Sequence, residues 1–197
     1  MADAVRTPGD PSARMRIRRP LEDRFFVRWP GAWAALARAN EHLPQRSRLR
    51  RALVRRTVVS GWSAFVRGDL DLIMVRYAPD CYLEPPPEWT AAGMRSSYKG
   101  HAGWREWAAD WFDAWERMEM TSLEIASTGN PVVVLGHVHQ RARGSGVELD
   151  SPYGSVYWTK RGLIVRESHF VDLGETLRAA GIRRVRPRGN PAKSSVV

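Results

Sequence analysis

Apolar positions recur every three to four residues in the first part of the chain and every two in the rest. From Ser47 to Arg67, Leu49, Leu53, Val54, Val58, Trp62, Phe65 and Val66 share one face of a helix of about five turns, opposite a face rich in arginine. Gly68 ends that helix, and Asp69 is placed to cap a second, shorter one running to about Tyr77. CYLE, residues 81–84, reads as a strand closed by Pro85, Pro86 and Pro87. After a loop, Trp104, Trp107, Trp111 and Trp115 return at helical spacing as a stripe on one face of a third helix. Beyond Met118 the period shortens to two. Residues 119–127, 132–143, 147–159 and 163–172 read as strands, punctuated by GNP at 129–131, GSG at 144–146 and KRG at 160–162. LGETLRAAG then predicts a short closing helix ended by Gly181. Helices first and consecutive strands afterwards predict an α+β domain, with helices packed on one face of an antiparallel sheet.

The ends of the chain have a different character. Residues 1–20 mix Pro, Gly, Arg and Ser without period and read as a disordered basic tail, as do residues 184–197. Within 21–46, Trp33, Leu36, Ala37 and Leu43 outline a short helical extension that ends before Pro44 and is expected to pack back on the domain. The domain itself is read as 47–183, a length that buries a core without staples. The net charge of +10 sits in the ends: residues 1–56 carry +9, residues 183–197 carry +5, and residues 57–182 carry −4. Contact with nucleic acid, membrane or an acidic partner is therefore expected only through those ends, although basic runs more often serve as solvated surface. The single cysteine, Cys81, excludes an internal disulfide. With no apolar signal-like region near Met1 and no apolar run of about 18 residues, the expected location is the cytoplasm.

Candidate chemistry lies near the end of the domain. Strict alternation puts Ile164, Arg166, Ser168, Phe170 and Asp172 on one strand face and Glu167 and His169 on the other. A carboxylate at Asp172 facing an apolar pocket would be a proton-transfer group. Asp172 and Glu175 also form the D-x-x-E spacing of a capping box, so both readings stand. Glu84 is a second candidate base, and Tyr157 or Tyr77 a candidate donor to a bound carbonyl. Trp62, Trp104, Trp107, Trp111, Trp158 and Phe170 are the candidate apolar wall. His137 and His139 share one strand face but lack a third ligand at metal-like spacing, so no metal is expected, and no motif predicts a cofactor.

AFVRGDLDLIMVRYAPDCYLEPP, YKGHAGWREW, RGSGVELD and RGLIVRESHFVDLGETLRAAG, in that order, resemble the SnoaL-like branch of the nuclear transport factor 2-like superfamily over about residues 47–183. The resemblance implies a cone-shaped, curved antiparallel sheet wrapped around helices, an apolar pocket and a homodimer formed through the sheet. The superfamily includes isomerases, dehydratases, cyclases, epoxide hydrolases and noncatalytic binders. Where its ketosteroid isomerases carry a tyrosine and a protonated aspartate, this chain has Gly61 and Gly154. Where SnoaL-like cyclases carry an acid/base aspartate, it has Asp172; their accompanying histidine falls near Tyr157 and Trp158. The reading is a pocket protein for a compact apolar or aromatic metabolite, with cofactor-independent acid/base chemistry of isomerase, cyclase or hydratase type. The alternative is a noncatalytic domain that docks through its basic arms.

Overall fold

A computed structural model describes residues 19–91 and 93–182, so the expected tails lie outside the described residues apart from Arg19 and Pro20. The extension forms two helices, α1 (Leu21–Arg28) and α2 (Pro30–Glu41), broken at Trp29 because Pro30 opens the second. The long helix α3 (Arg48–Val66) falls where the pattern predicts it, and Ser47 caps it by accepting from Arg50 N. Gly68, at φ 70°, turns the chain, and Asp69 caps α4 (Leu70–Met74) by accepting from Leu72 N at 3.3 Å. Arg19 closes on the same carboxylate at 2.6 Å.

Strand β1 (Tyr77–Glu84) begins four residues earlier than CYLE, because Tyr77 already pairs with Ile164 of the last strand. A short helix α5 (Pro87–Ala91) occupies what reads as loop, followed by β2 (Tyr98–Lys99) and α6 (Gly100–Ala114). Trp104, Trp107 and Trp111 fall on the buried face of α6, as their spacing predicts, whereas Trp115 passes into β3 (Trp115–Thr128). Strands β4 (Val132–Ala142), β5 (Glu148–Lys160) and β6 (Leu163–Phe170) follow, then α7 (Leu173–Ala179) with Gly181 at φ 69° beyond it. The sheet order is β2-β1-β6-β5-β4-β3. Every pair is antiparallel except β1 with β6. The sheet curves without closing.

Two cores result. The larger packs Phe65, Leu72, Leu83 and the three α6 indoles between the helices and the concave sheet face. Each buried indole removes about 150–250 Å² from water, roughly 4–6 kcal/mol before ordering costs. The smaller lies on the other face, where α7 covers Val133, Leu135 and Val156 together with Trp158 and Phe170. The expectation of helices on one face therefore fails for α7, because its length and cap are local features that do not name the face it packs on.

Helix α2 is fixed against the domain by three contacts. Gly162, at φ 79° in the β5–β6 turn, lies so close to Ala34 that a Cβ there would collide with the Ala34 carbonyl. Thr159 Oγ1 donates to Glu41 Oε1 at 2.6 Å. The buried Arg50 guanidinium donates to the carbonyls of Glu41, Leu43 and Thr128 at 2.6–2.8 Å, binding α2, α3 and the end of β3 together.

Candidate functional site

The concave sheet face, α3 and α6 enclose a cavity of about 350 Å³, and α2 forms one wall with Trp33, Leu36 and Ala37. That size is within the range of about 300–1,000 Å³ usual for small-molecule pockets. Most of the lining is aromatic or aliphatic: Trp62 and Phe65 from α3, the α6 indoles, Val132 and Val134 from β4, Tyr153 and Tyr157 from β5.

Two ionisable groups interrupt this lining where the sheet turns its inner face to it. Glu167 and His169 project from β6 into the cavity wall, and both are almost fully buried. Glu167 Oε1 lies 2.6 Å from His169 Nε2; its Oε2 accepts from Tyr77 Oη at 2.7 Å and from Trp104 Nε1 at 3.2 Å. Burial alone would raise the carboxyl pKa. The interaction with His169, together with the Tyr77 and Trp104 donors, outweighs it and holds Glu167 below the usual carboxylate value. An ionised carboxylate only accepts, so His169 Nε2 must donate. The imidazole proton is thereby assigned to Nε2, and Nδ1 is left as the free position, without a hydrogen-bond partner. Burial, and then the Glu167 charge, push the Tyr77 and Tyr157 phenols well above their ordinary values, so both remain protonated donors.

One further polar atom beside His169 is uncommitted. Ser155 stands opposite His169 in the β5–β6 register, its side chain against those of Tyr153 and Tyr157. The Trp107 ring lies 5.2 Å from the imidazole, edge-on, and its Nε1 is unpartnered. An indole N–H donor and an imidazole nitrogen thus stand together in an aromatic surround, an arrangement able to orient a carbonyl or hydroxyl and to exchange a proton with it. At the α3 side of the cavity stands Arg76, buried, its guanidinium 5.0 Å above the Trp33 ring. Burial lowers its pKa from the ordinary arginine value.

The structure brings together six of the sequence-derived site residues: Tyr77, Trp62, Trp104, Trp107, Trp111 and Tyr157 all line the cavity. The other four lie elsewhere. Asp172 is exposed and caps α7, its Oδ1 accepting from Glu175 N at 2.6 Å. Phe170 and Trp158 pack under α7 in the smaller core. Glu84 pairs with Arg166 at 2.7 Å and accepts from Ser168 Oγ, with Arg166 stacked on Trp158 4.8 Å away.

One cause accounts for the misplacement of Phe170 and Asp172. Thr159 pairs with Ile164 but Trp158 pairs with Arg166, so Val165 is an extra residue in β6. This bulge reverses the alternation. Ile164 faces the cavity as strict parity from that residue requires, yet beyond Val165 it is Glu167 and His169 that point inward. The sequence signal for them was present, two ionisable residues two apart in an apolar strand, but a one-residue slip assigns it to the wrong face. His137 and His139 lie on the opposite face of β4 from Val132 and Val134, and among the described residues no three His, Cys, Asp or Glu side chains converge to hold a metal ion.

Comparison with known proteins agrees with this architecture. The profile of the SnoaL-like domain matches residues 56–167, more than half of the chain, leaving α1, α2 and α7 outside the match. An NTF2-like protein of unknown function from Burkholderia pseudomallei superposes with a TM-score of 0.55 at 23% identity, covering 63% of this chain and 94% of that one. TerC, co-crystallised with polyporic acid, superposes with a TM-score of 0.53 at 20% identity, covering 62% and 94%. An NTF2-like protein from Burkholderia xenovorans gives 0.51 at 19% identity, covering 63% and 92%. No curated protein sequence matches the chain. The curved six-stranded sheet wrapped on helices is the NTF2-like fold of those structures, and the matched domain establishes that this chain belongs to the SnoaL-like domain family.

Proposed function

We propose that the protein binds a compact apolar or aromatic small molecule in the cavity and transfers a proton to or from it without a cofactor. The observation that carries this reading is the Glu167–His169 pair in the wall of an otherwise apolar cavity. Glu167 fixes the tautomer and stabilises the imidazolium that forms when Nδ1 takes a proton. Trp107 stands beside the ring, its free Nε1–H in place to hold the oxygen of a carbonyl whose adjacent carbon gives up that proton. The proton returns from Nδ1 to carbon or oxygen, which accommodates isomerisation, cyclisation or hydration. TerC, co-crystallised with polyporic acid, is a protein of the same fold with a small molecule. In this reading His169 replaces Asp172 as the acid/base, Glu167 replaces Glu84 as the functional carboxylate, and Tyr157 and Tyr77 remain donors.

The test is hydrogen–deuterium exchange at the activated carbon of 2-tetralone in D₂O, followed by proton NMR. Wild-type protein is expected to accelerate exchange over buffer, His169→Asn to abolish the acceleration, and Asp172→Asn to retain it. A wild-type rate equal to buffer, or acceleration that depends on Asp172 and not on His169, overturns the assignment.

A further inference from the structure

Two buried arginines line the cavity, and their surroundings differ. Arg50 is 6% exposed and satisfied by three backbone carbonyls, the work of a structural clamp. Arg76 is 5% exposed and makes only two hydrogen bonds, both to neutral oxygens: Nη2 to Ser60 Oγ at 2.8 Å and Nη1 to Thr57 O at 3.3 Å. Its Nε is buried with no partner. Among the described residues no carboxylate lies within ion-pair distance of it, and the acids whose charge reaches it, Asp23 and Asp69, are held by Arg67 and Arg19. The Trp33 face supplies a weak cation–π contact, not a counter-ion. Gly61 makes the room: a Cβ at that position would collide with Nη1.

A guanidinium withdrawn from water without an anion is costly, and a bound anion would remove that cost. We propose that Arg76 is the anion-binding end of the cavity, and that the ligand is a compact apolar or aromatic acid whose carboxylate pairs with this guanidinium. The inference rests on the reading that the cavity holds a small molecule, and it adds the chemical class of that molecule. Nε, Nη1 and Nη2 form the planar fork that suits a carboxylate bidentately. On β6 the cavity's own buried carboxylate, Glu167, is already paired with His169 and does not reach Arg76. A carboxylic acid would therefore lie with its charged end toward α2 and α3 and its apolar body against the sheet and α6.

Isothermal titration of the full chain with 2-naphthoate and with its neutral isostere 2-naphthamide tests this. Wild type is expected to bind the acid about ten- to a hundredfold more tightly than the amide, the value of hydrogen bonds gaining a charged partner. Arg76→Met should erase that preference; Arg76→Lys should keep part of it. Equal affinity of wild type for acid and amide overturns the anion subsite and spares the pocket, and needs no variant to fold. A preference that survives in Arg76→Met also overturns it. Binding of neither probe overturns the pocket reading itself.

Discussion

Replacing Glu167 by Gln keeps the side-chain shape and removes the charge, and its cost can be worked from three contacts. The amide oxygen can take the place of Oε2 and still accept from Tyr77 and Trp104, but as a neutral acceptor. Losing charge assistance costs about 1 kcal/mol on each of those two bonds. The amide NH₂ then faces His169 Nε2, which donates in the wild type. Relief requires the imidazole proton to move to Nδ1, which is buried with no acceptor, at about 1–3 kcal/mol. The total is about 3–5 kcal/mol, the range observed when one partner of a buried pair is removed. For a chain of this size that lowers the unfolding midpoint by about 6–20 °C, measurable by circular dichroism at neutral pH. The pH dependence gives an independent readout. Because Glu167 is held below its ordinary value, its contribution is complete above the unfolded carboxyl pKa of about 4.3 and is lost as pH falls through the lower folded value. Wild type should therefore lose stability over that acidic window by more than Glu167→Gln does. A midpoint within about 2–4 °C of wild type, equivalent to about 1 kcal/mol, would refute the buried, ionised Glu167.

Three other outcomes follow from single contacts. Asp172→Ala should cost about 0.5–2 kcal/mol in chemical denaturation, the value of an N-cap, without changing the affinity of any cavity ligand. Gly162→Ala forces a side chain into the left-handed region and against Ala34, and should cost at least about 1–3 kcal/mol, seen as faster hydrogen exchange and proteolysis within α2. Burial pushes the Cys81 thiol up to about 11, so the native protein should not react with Ellman's reagent at mildly alkaline pH and should release one equivalent of thiolate when unfolded.

How far the sequence reached depended on whether a feature was local. The Trp stripe, the Asp69 cap and the four long strands are set by neighbours within a turn or a ladder, and pattern alone located them. Glu167 and His169 were visible as residues but placed on the wrong face, since a bulge depends on how β5 pairs with β6 and leaves no mark in β6 itself. The role of α2 as a cavity wall comes from its docking on the Gly162 turn, more than 120 residues away in the chain. Arg76 was hidden by abundance: it is one of 31 basic residues, and only its burial with an unpartnered Nε, a tertiary property, sets it apart.

The account stands on a cavity that receives a guest between α2, α3 and the concave sheet face. A crystal structure of the protein with 2-naphthoate tests that directly. It should show the naphthalene ring enclosed by Trp62, Tyr153 and the α6 indoles, within reach of His169. A ring lodged on the α7 side of the sheet, or an interior closed by the protein's own side chains with no ligand in it, would contradict it.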